Sequence, residues 1–134
     1  MATFLAHIRI KAGREAEFER IASTLFVATH QREKSVRRYE YWRGAEARTY
    51  YTHASFDDFH AFIDHQTSEH HEAAGPELKE VIETIRFEWV DPVLTASPLP
   101  PTDPQALPAG SSELATKYHE SFAVDVQPWW LPLR

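Results

Sequence analysis

The chain has no cysteine, and of its 134 residues only four are glycine and one is methionine. Without thiols there are no disulfides, no thiolate nucleophile and no cysteine-ligated metal or cluster. Four glycines do not form a G-x-G-x-x-G loop for a flavin or nicotinamide, and no serine-nucleophile elbow is present. Long apolar runs are missing too: none approaches the ~20 residues a membrane-crossing helix needs. Positive charge is scarce, with 14 Lys and Arg against 20 Asp and Glu for a net charge of −6. Arg37-Arg38 is the densest basic pair. Nucleic acid and anionic lipid both demand a basic face, so neither is an expected partner. The N-terminal stretch Met1–His7 lacks the basic region and apolar core of a secretory leader, which makes the cytoplasm the expected location.

Proline is rationed by position. Of nine prolines only Pro76 precedes residue 92, so residues 1–95 read as regular structure and 96–134 as a Pro-rich extension. Thr3 to Ile10 alternates Phe4, Ala6, Ile8 and Ile10 against Leu5, His7 and Arg9, the pattern of a strand. From Arg14 to about Gln31 the apolar positions Phe18, Ile21, Ala22, Leu25 and Ala28 recur at helical spacing. Val36–Trp42 and Thr49–Phe56 are aromatic, β-favouring runs joined by a short turn, as in a hairpin. Asp57 or Asp58 suits the cap of a second helix with Phe59, Phe62 and Ile63 on its core face. That helix is expected to bend or break near Gly75-Pro76 and to resume through Ile82. Ile85, Phe87 and Trp89 then alternate in a last strand.

The order β-α-β-β-α-β is the split βαβ, ferredoxin-like arrangement, an α+β fold with a four-stranded antiparallel sheet. With both helices on one face, the other face must meet water or a partner. Tyr39 and Tyr41 lie on one side of the sheet, with Trp42 on the other and Tyr50 and Tyr51 back to back. So much aromatic area favours a homodimer joined through the sheet. In the extension, Leu114, Tyr118 and Phe122 share a helical face, and Trp129-Trp130 follow. Pro98–Pro101 reads as a stiff spacer that lets this short helix dock on its own subunit or on the partner, burying both tryptophans.

His60, His65, His70 and His71 cluster on the second helix. On a regular helix His65 and His70 point about 140° apart, and His70 and His71 cannot face one site. No i, i+4 pairing or His-Glu-x-x-His is present, so no metal site is expected. His60 and His119 read as solvent-facing.

The segment Ala61-Phe62-Ile63-Asp64-His65-Gln66-Thr67-Ser68-Glu69-His70 resembles the His-x4-His second-helix pattern of the antibiotic biosynthesis monooxygenase (ABM) family. The opening Phe4-Leu5-Ala6-His7-Ile8-Arg9-Ile10-Lys11-Ala12-Gly13, the strand Arg38-Tyr39-Glu40-Tyr41-Trp42 and the aromatic third strand agree with it. The resemblance spans about residues 3–92 and implies a dimeric α+β barrel with a pocket between sheet and helices in each subunit. Such proteins include cofactor-free oxygenases of phenols and polyketides, haem-degrading enzymes, an isomerase and proteins without known activity. His7 stands where the haem-degrading branch has asparagine, so haem is disfavoured and no cofactor is expected.

Oxygenation without metal or flavin needs an electron-rich small aromatic molecule that a base can deprotonate. Histidine suits that base because its ordinary pKa lies near working pH. The expected catalytic residues are His65, as base or oxyanion partner, and His70. His7, His53, Tyr51 and Trp42 are the expected substrate-binding set, with Tyr39 and Tyr41 left to packing. The alternative is a non-catalytic dimeric ligand-binding or assembly module on the same fold. The dimer is directly testable: sedimentation at micromolar concentration should give about 31 kDa, twice the 15.5 kDa chain, and a monomer would remove the barrel.

Overall fold

The alternation around Phe4 builds the central strand, and everything else is arranged about it. In the computed structural model, which describes residues 1–134, β1 (Ala2–Ile10) lies between β3 (Thr49–Phe56) and β4 (Ile82–Trp89). The remaining strand, β2 (Val36–Arg43), pairs with β3, giving an antiparallel sheet of order β2-β3-β1-β4. Phe4, Ala6, Ile8 and Ile10 are buried while Leu5, His7 and Arg9 are only half-covered. Period 2 thus sorts the strand into a core face and an outer face.

Gly13, at φ +78°, turns the chain out of β1; a side chain there would meet the left-handed steric penalty. Helix α1 (Glu15–Arg32) follows with Glu15 and Glu17 at its positive end, and it buries Phe18, Ile21, Ala22, Leu25 and Thr29 against the sheet. Helix α2 (Phe59–Gln66) begins at Asp58, whose carboxylate accepts from the Ala61 N–H at 2.8 Å. It delivers Phe59, Phe62 and Ile63 to the core. Phe18, Phe56, Phe59 and Phe62 are fully enclosed, each contributing about 1.5–3 kcal/mol by leaving water.

The second helix breaks earlier than the sequence suggests. Gly75 and Pro76 lie inside a continuous α3 (Glu69–Val81), and the interruption falls at Thr67-Ser68. Side chains there take over the backbone's bonds. Thr67 Oγ1 donates to the Ile63 carbonyl at 3.0 Å and Ser68 Oγ to that of His65 at 2.7 Å. Ser68 also caps the new helix by accepting from the His71 N–H. Such local bonds compete with helix continuation, and they win here over the proline nine residues on. Helix α3 ends at Val81, so Ile82 is already strand.

The extension wraps the domain. Thr102 is buried; its hydroxyl donates to Val90 O at 2.7 Å and accepts from Thr3 N–H at 3.2 Å. Gln105 Oε1 accepts from the free N–H groups of Phe59 and His60 at the start of α2, at 2.8 and 3.3 Å. Helix α4 (Glu113–Ser121) packs on α2, and Trp89 Nε1 donates to the carbonyls of Phe122 and Ala123 at 3.2 and 3.1 Å. Trp130 is half-buried against the core, but Trp129 is 66% exposed, unlike the expectation for the pair.

Arg134 closes the wrap. Its guanidinium spans Asp91 through Nε and Nη2 at 2.9 and 2.8 Å, and Nη1 reaches Asp103 at 2.9 Å. Burial opposes ionisation of Asp91, yet Arg134 and the Thr102 N–H outweigh it and hold its carboxyl below the usual value. A depressed folded-state pKa stabilises above the unfolded value near 3.8 and is lost as pH falls through the folded one. Arg134→Met should therefore cost about 1–3 kcal/mol at pH 7, a Tm loss of several degrees. Its gap from the parent should narrow on acidification below about pH 4; a pH-independent gap would show that the ion pair is not its source.

Candidate active site

The break at Thr67-Ser68 decides the site, because it turns His70 and His71 back toward His65. The His65 ring centroid lies 6.2 Å from that of His70 and 4.8 Å from that of His71. A regular helix would have kept them apart. Between His65 and His70 sits Glu33, the residue that ends α1. Its carboxylate accepts from His65 Nδ1 at 2.9 Å and lies 2.8 Å from His70 Nε2. Thr29 and Ser68 hydroxyls flank His70 Nε2 at 3.3 and 3.4 Å. Since a carboxylate only accepts, the contact fixes a proton on His65 Nδ1, so that in the neutral ring Nε2 carries the lone pair.

Glu33, His65 and His70 present their donor atoms within 4.8 Å of one another. This is a two-histidine, one-carboxylate set of the kind that can hold a divalent ion. Glu33 joins the two histidines, which do not bond each other, and His65 Nε2 lies outside this set of contacts.

His65 is 1% exposed and lines a cavity of about 170 Å³ enclosed by the core face of the sheet, α2, α3 and the extension. Phe4, Ala6, Ile8 and Phe87 make it apolar. Its polar elements are His65, His71, Thr52, Gln66 and a tyrosine pair: Tyr39 and Tyr41 share a hydrogen bond of 2.8 Å, and the Tyr39 ring packs on His65 at 4.8 Å. Burial raises both phenols, Tyr41 to about 12 and Tyr39 further because Tyr41 and Glu33 add to it. Both stay protonated at neutral pH. One hydroxyl donates to the other, and the second proton remains available to an oxygen in the cavity.

The outer face carries the other expected residues. His7 pairs across the sheet with Tyr51, and Tyr51 with Trp42; His53 lies opposite Glu40. His7 Nε2 contacts Glu88 at 3.0 Å and meets the Tyr51 ring edge-on at 5.3 Å, while Trp42 is 58% exposed. His53 is depressed by burial and by Arg38. The sheet therefore stands between His7, His53 and Tyr51 and the cavity of His65, while Trp42 borders a separate cleft with Phe18, Tyr41 and Tyr50 at the β2 edge. Strand parity separates them: Leu5, His7 and Arg9 alternate with the core residues.

Residues 1–76 match the family described as "Antibiotic biosynthesis monooxygenase". The chain belongs to this family. Among solved structures, a Caulobacter crescentus protein carrying the same family name superposes with a TM-score of 0.65 at 20% identity, over 69% of this chain and 89% of its own. A Pseudomonas aeruginosa protein gives 0.61 and 20%, over 66% and 90%, and a Mycobacterium tuberculosis protein 0.65 and 14%, over 72% and 98%. At such identities the likeness is one of fold. No curated protein sequence matches the chain.

The family match takes in Glu33 and all three clustered histidines but ends before Phe87 and the extension. Glu33 carried no sequence signal that set it apart from nineteen other acidic residues. Tyr39 and Tyr41 were assigned to packing, yet they share the alternation that turns Trp42 outward, and that parity places them over the cavity. His71 was legible only through the cap at Ser68. His60 is not free either: its Nε2 contacts Ala106 O at 2.8 Å, and His119 Nε2 contacts Gln105 O at 2.9 Å.

His71 Nδ1 is buried without a partner. Burial first, then the neighbouring His65 and His70, depresses its pKa to about 3. The unfolded state thus binds a proton that the folded state refuses between about pH 6.5 and 3, so stability falls as pH drops through that window. In proton NMR the His71 imidazole should not titrate above pH 4, and His71→Leu should flatten the acid side of the Tm-pH curve. An imidazole titrating near 6.5 would contradict this placement.

Proposed function

We propose that the protein is a cofactor-independent monooxygenase whose substrate, a phenol, quinol or enolised polyketide, occupies the cavity beside His65. The observation that carries this reading is the Glu33–His65 pair at the wall of an apolar cavity. Glu33 holds the imidazole as the Nδ1–H tautomer, so Nε2 is the base, and family membership makes oxygen the co-substrate to consider.

In this mechanism His65 Nε2 removes the acidic O–H proton. The resulting anion is stabilised by the spare hydroxyl proton of the Tyr39–Tyr41 pair. The electron-rich ring then gives one electron to dioxygen, and the radical pair joins at an unsubstituted ring carbon to form a hydroperoxide. Loss of the hydrogen on that carbon, with cleavage of the O–O bond, leaves a carbonyl and releases water. Phenol plus O₂ thus balances as quinone plus H₂O. The apolar walls keep water from the intermediate. Glu33, which touches no substrate, is a positioning residue, and His70 fixes Glu33.

The outer face, with exposed Trp42 and half-buried Leu5 and Tyr51, is the surface through which we join two subunits, in the cytoplasm. His7, His53, Tyr51 and Trp42 belong to that contact in this reading.

Protein treated with chelator should still consume oxygen with an electron-rich phenol. His65→Ala should slow it by roughly 10²- to 10⁴-fold, and Glu33→Gln should shift the pH-rate profile with less change in KM. Exposed His30 is the control position. Unchanged activity in His65→Ala would end the base assignment. Loss on chelation with recovery on adding Fe²⁺ or Zn²⁺ would instead assign the Glu33-His65-His70 set to a metal. Ligand binding without oxygen uptake would identify a binding module.

A further inference from the structure

Phe122 belongs to the extension, yet it lines the same cavity as His65. Its ring packs against Phe87 at 5.0 Å and Phe62 at 5.5 Å. The chain around it is pinned from several sides. Trp89 donates to the Phe122 carbonyl, the Tyr118 hydroxyl bonds Glu72 of α3, and His119 meets Gln105. Opposite Phe122, Ile85 lines the cavity while remaining 57% exposed, which places the mouth along the free edge of β4.

This wall lies outside the family match, which stops at residue 76, and the structural likeness to the Mycobacterium tuberculosis protein takes in 72% of the chain, about 96 residues, leaving a length close to that of the extension. The size of the cavity then has a meaning. A dry apolar cavity of about 150 Å³ accommodates one benzene ring, and this one is about 170 Å³. It takes a single ring with a hydroxyl directed at His65, and three fused rings exceed it. Close-packed aromatic walls do not yield cheaply to a larger guest.

We propose that the extension is the specificity element of this protein, and that Phe122 restricts the cavity to single-ring phenols or quinols. This rests on the reading of the cavity as the phenol site. It goes beyond it by naming the substrate's size and the residue that sets it. Specificity here is a difference of two affinities, so binding tests it without turnover.

The experiment is calorimetric titration of the full chain under argon with p-cresol and with anthrone. Wild type should bind p-cresol at least about tenfold more tightly than anthrone. Phe122→Ala should lift anthrone binding by a similar factor and weaken p-cresol. Phe122→Leu, which keeps the wall apolar, should move the ratio the same way by less, and it carries the test if the alanine variant does not fold. Equal affinity of wild type for both ligands, or an unchanged ratio in folded variants, overturns the proposal and leaves the phenol site standing. Binding of neither ligand to wild type overturns the phenol site itself. Binding with the expected ratio but no oxygen uptake supports the size limit and removes only the oxygenase chemistry.

Discussion

The carboxylate of Glu33 accepts from His65 and lies against His70, and three helices meet at that contact. It ends α1, while His65 sits in the last turn of α2 and His70 in the first turn of α3. An ionised group 15% exposed tolerates such burial only with donors around it, and the two rings supply them. Take away the carboxylate and His65 loses the acceptor that fixes its tautomer, and the helix break loses the charged group that faces it. The tyrosine pair responds to the same charge, since Glu33 adds to the rise of Tyr39. A single acceptor thus fixes a proton position on one side of the cavity and adds to the effect of burial on the other.

Most of the fold was legible because two periods are written clearly. Alternation through Phe4–Ile10 and Ile85–Trp89 and the stripe Phe18-Ile21-Ala22-Leu25 can each pack in only one way against a common core. The site was less legible because it depends on one irregular step. Pro76 looked like the breaker, but a proline removes one hydrogen bond, whereas Thr67 and Ser68 satisfy several freed backbone groups together. A shift of the break by eight residues changes which histidines meet. The spacing argument against convergence of His65 and His70 assumed uninterrupted helical geometry between them, which the break removes. For the expected binding set, residue type pointed to a pocket, while strand parity places His7, His53 and Tyr51 on the sheet face away from the cavity of His65.

The extension shows how an addition can change a shared scaffold without touching its sheet. Its contacts run to helix ends and to the margin of the core: Gln105 to the start of α2, Phe122 to Phe62 and Phe87, Arg134 to Asp91. Each of these groups would otherwise be an unsatisfied N–H, an exposed ring or an unpaired acid. The scaffold therefore offers ready attachment points where its own hydrogen bonding and packing run out.

Thr3 and Thr102 meet across 99 positions of sequence, and this separation has a kinetic meaning. Contacts so distant form late, after the local pairings of the sheet have removed most of the chain's freedom. What forms last on few bonds also opens first. Release of the extension breaks mostly side-chain hydrogen bonds and contacts, whereas opening β1 breaks backbone ladders on both of its edges. The cavity wall and the sheet thus belong to different cooperative units. Amide exchange in β1 should report global unfolding, while exchange in α4 reports the frequency with which the cavity is uncovered.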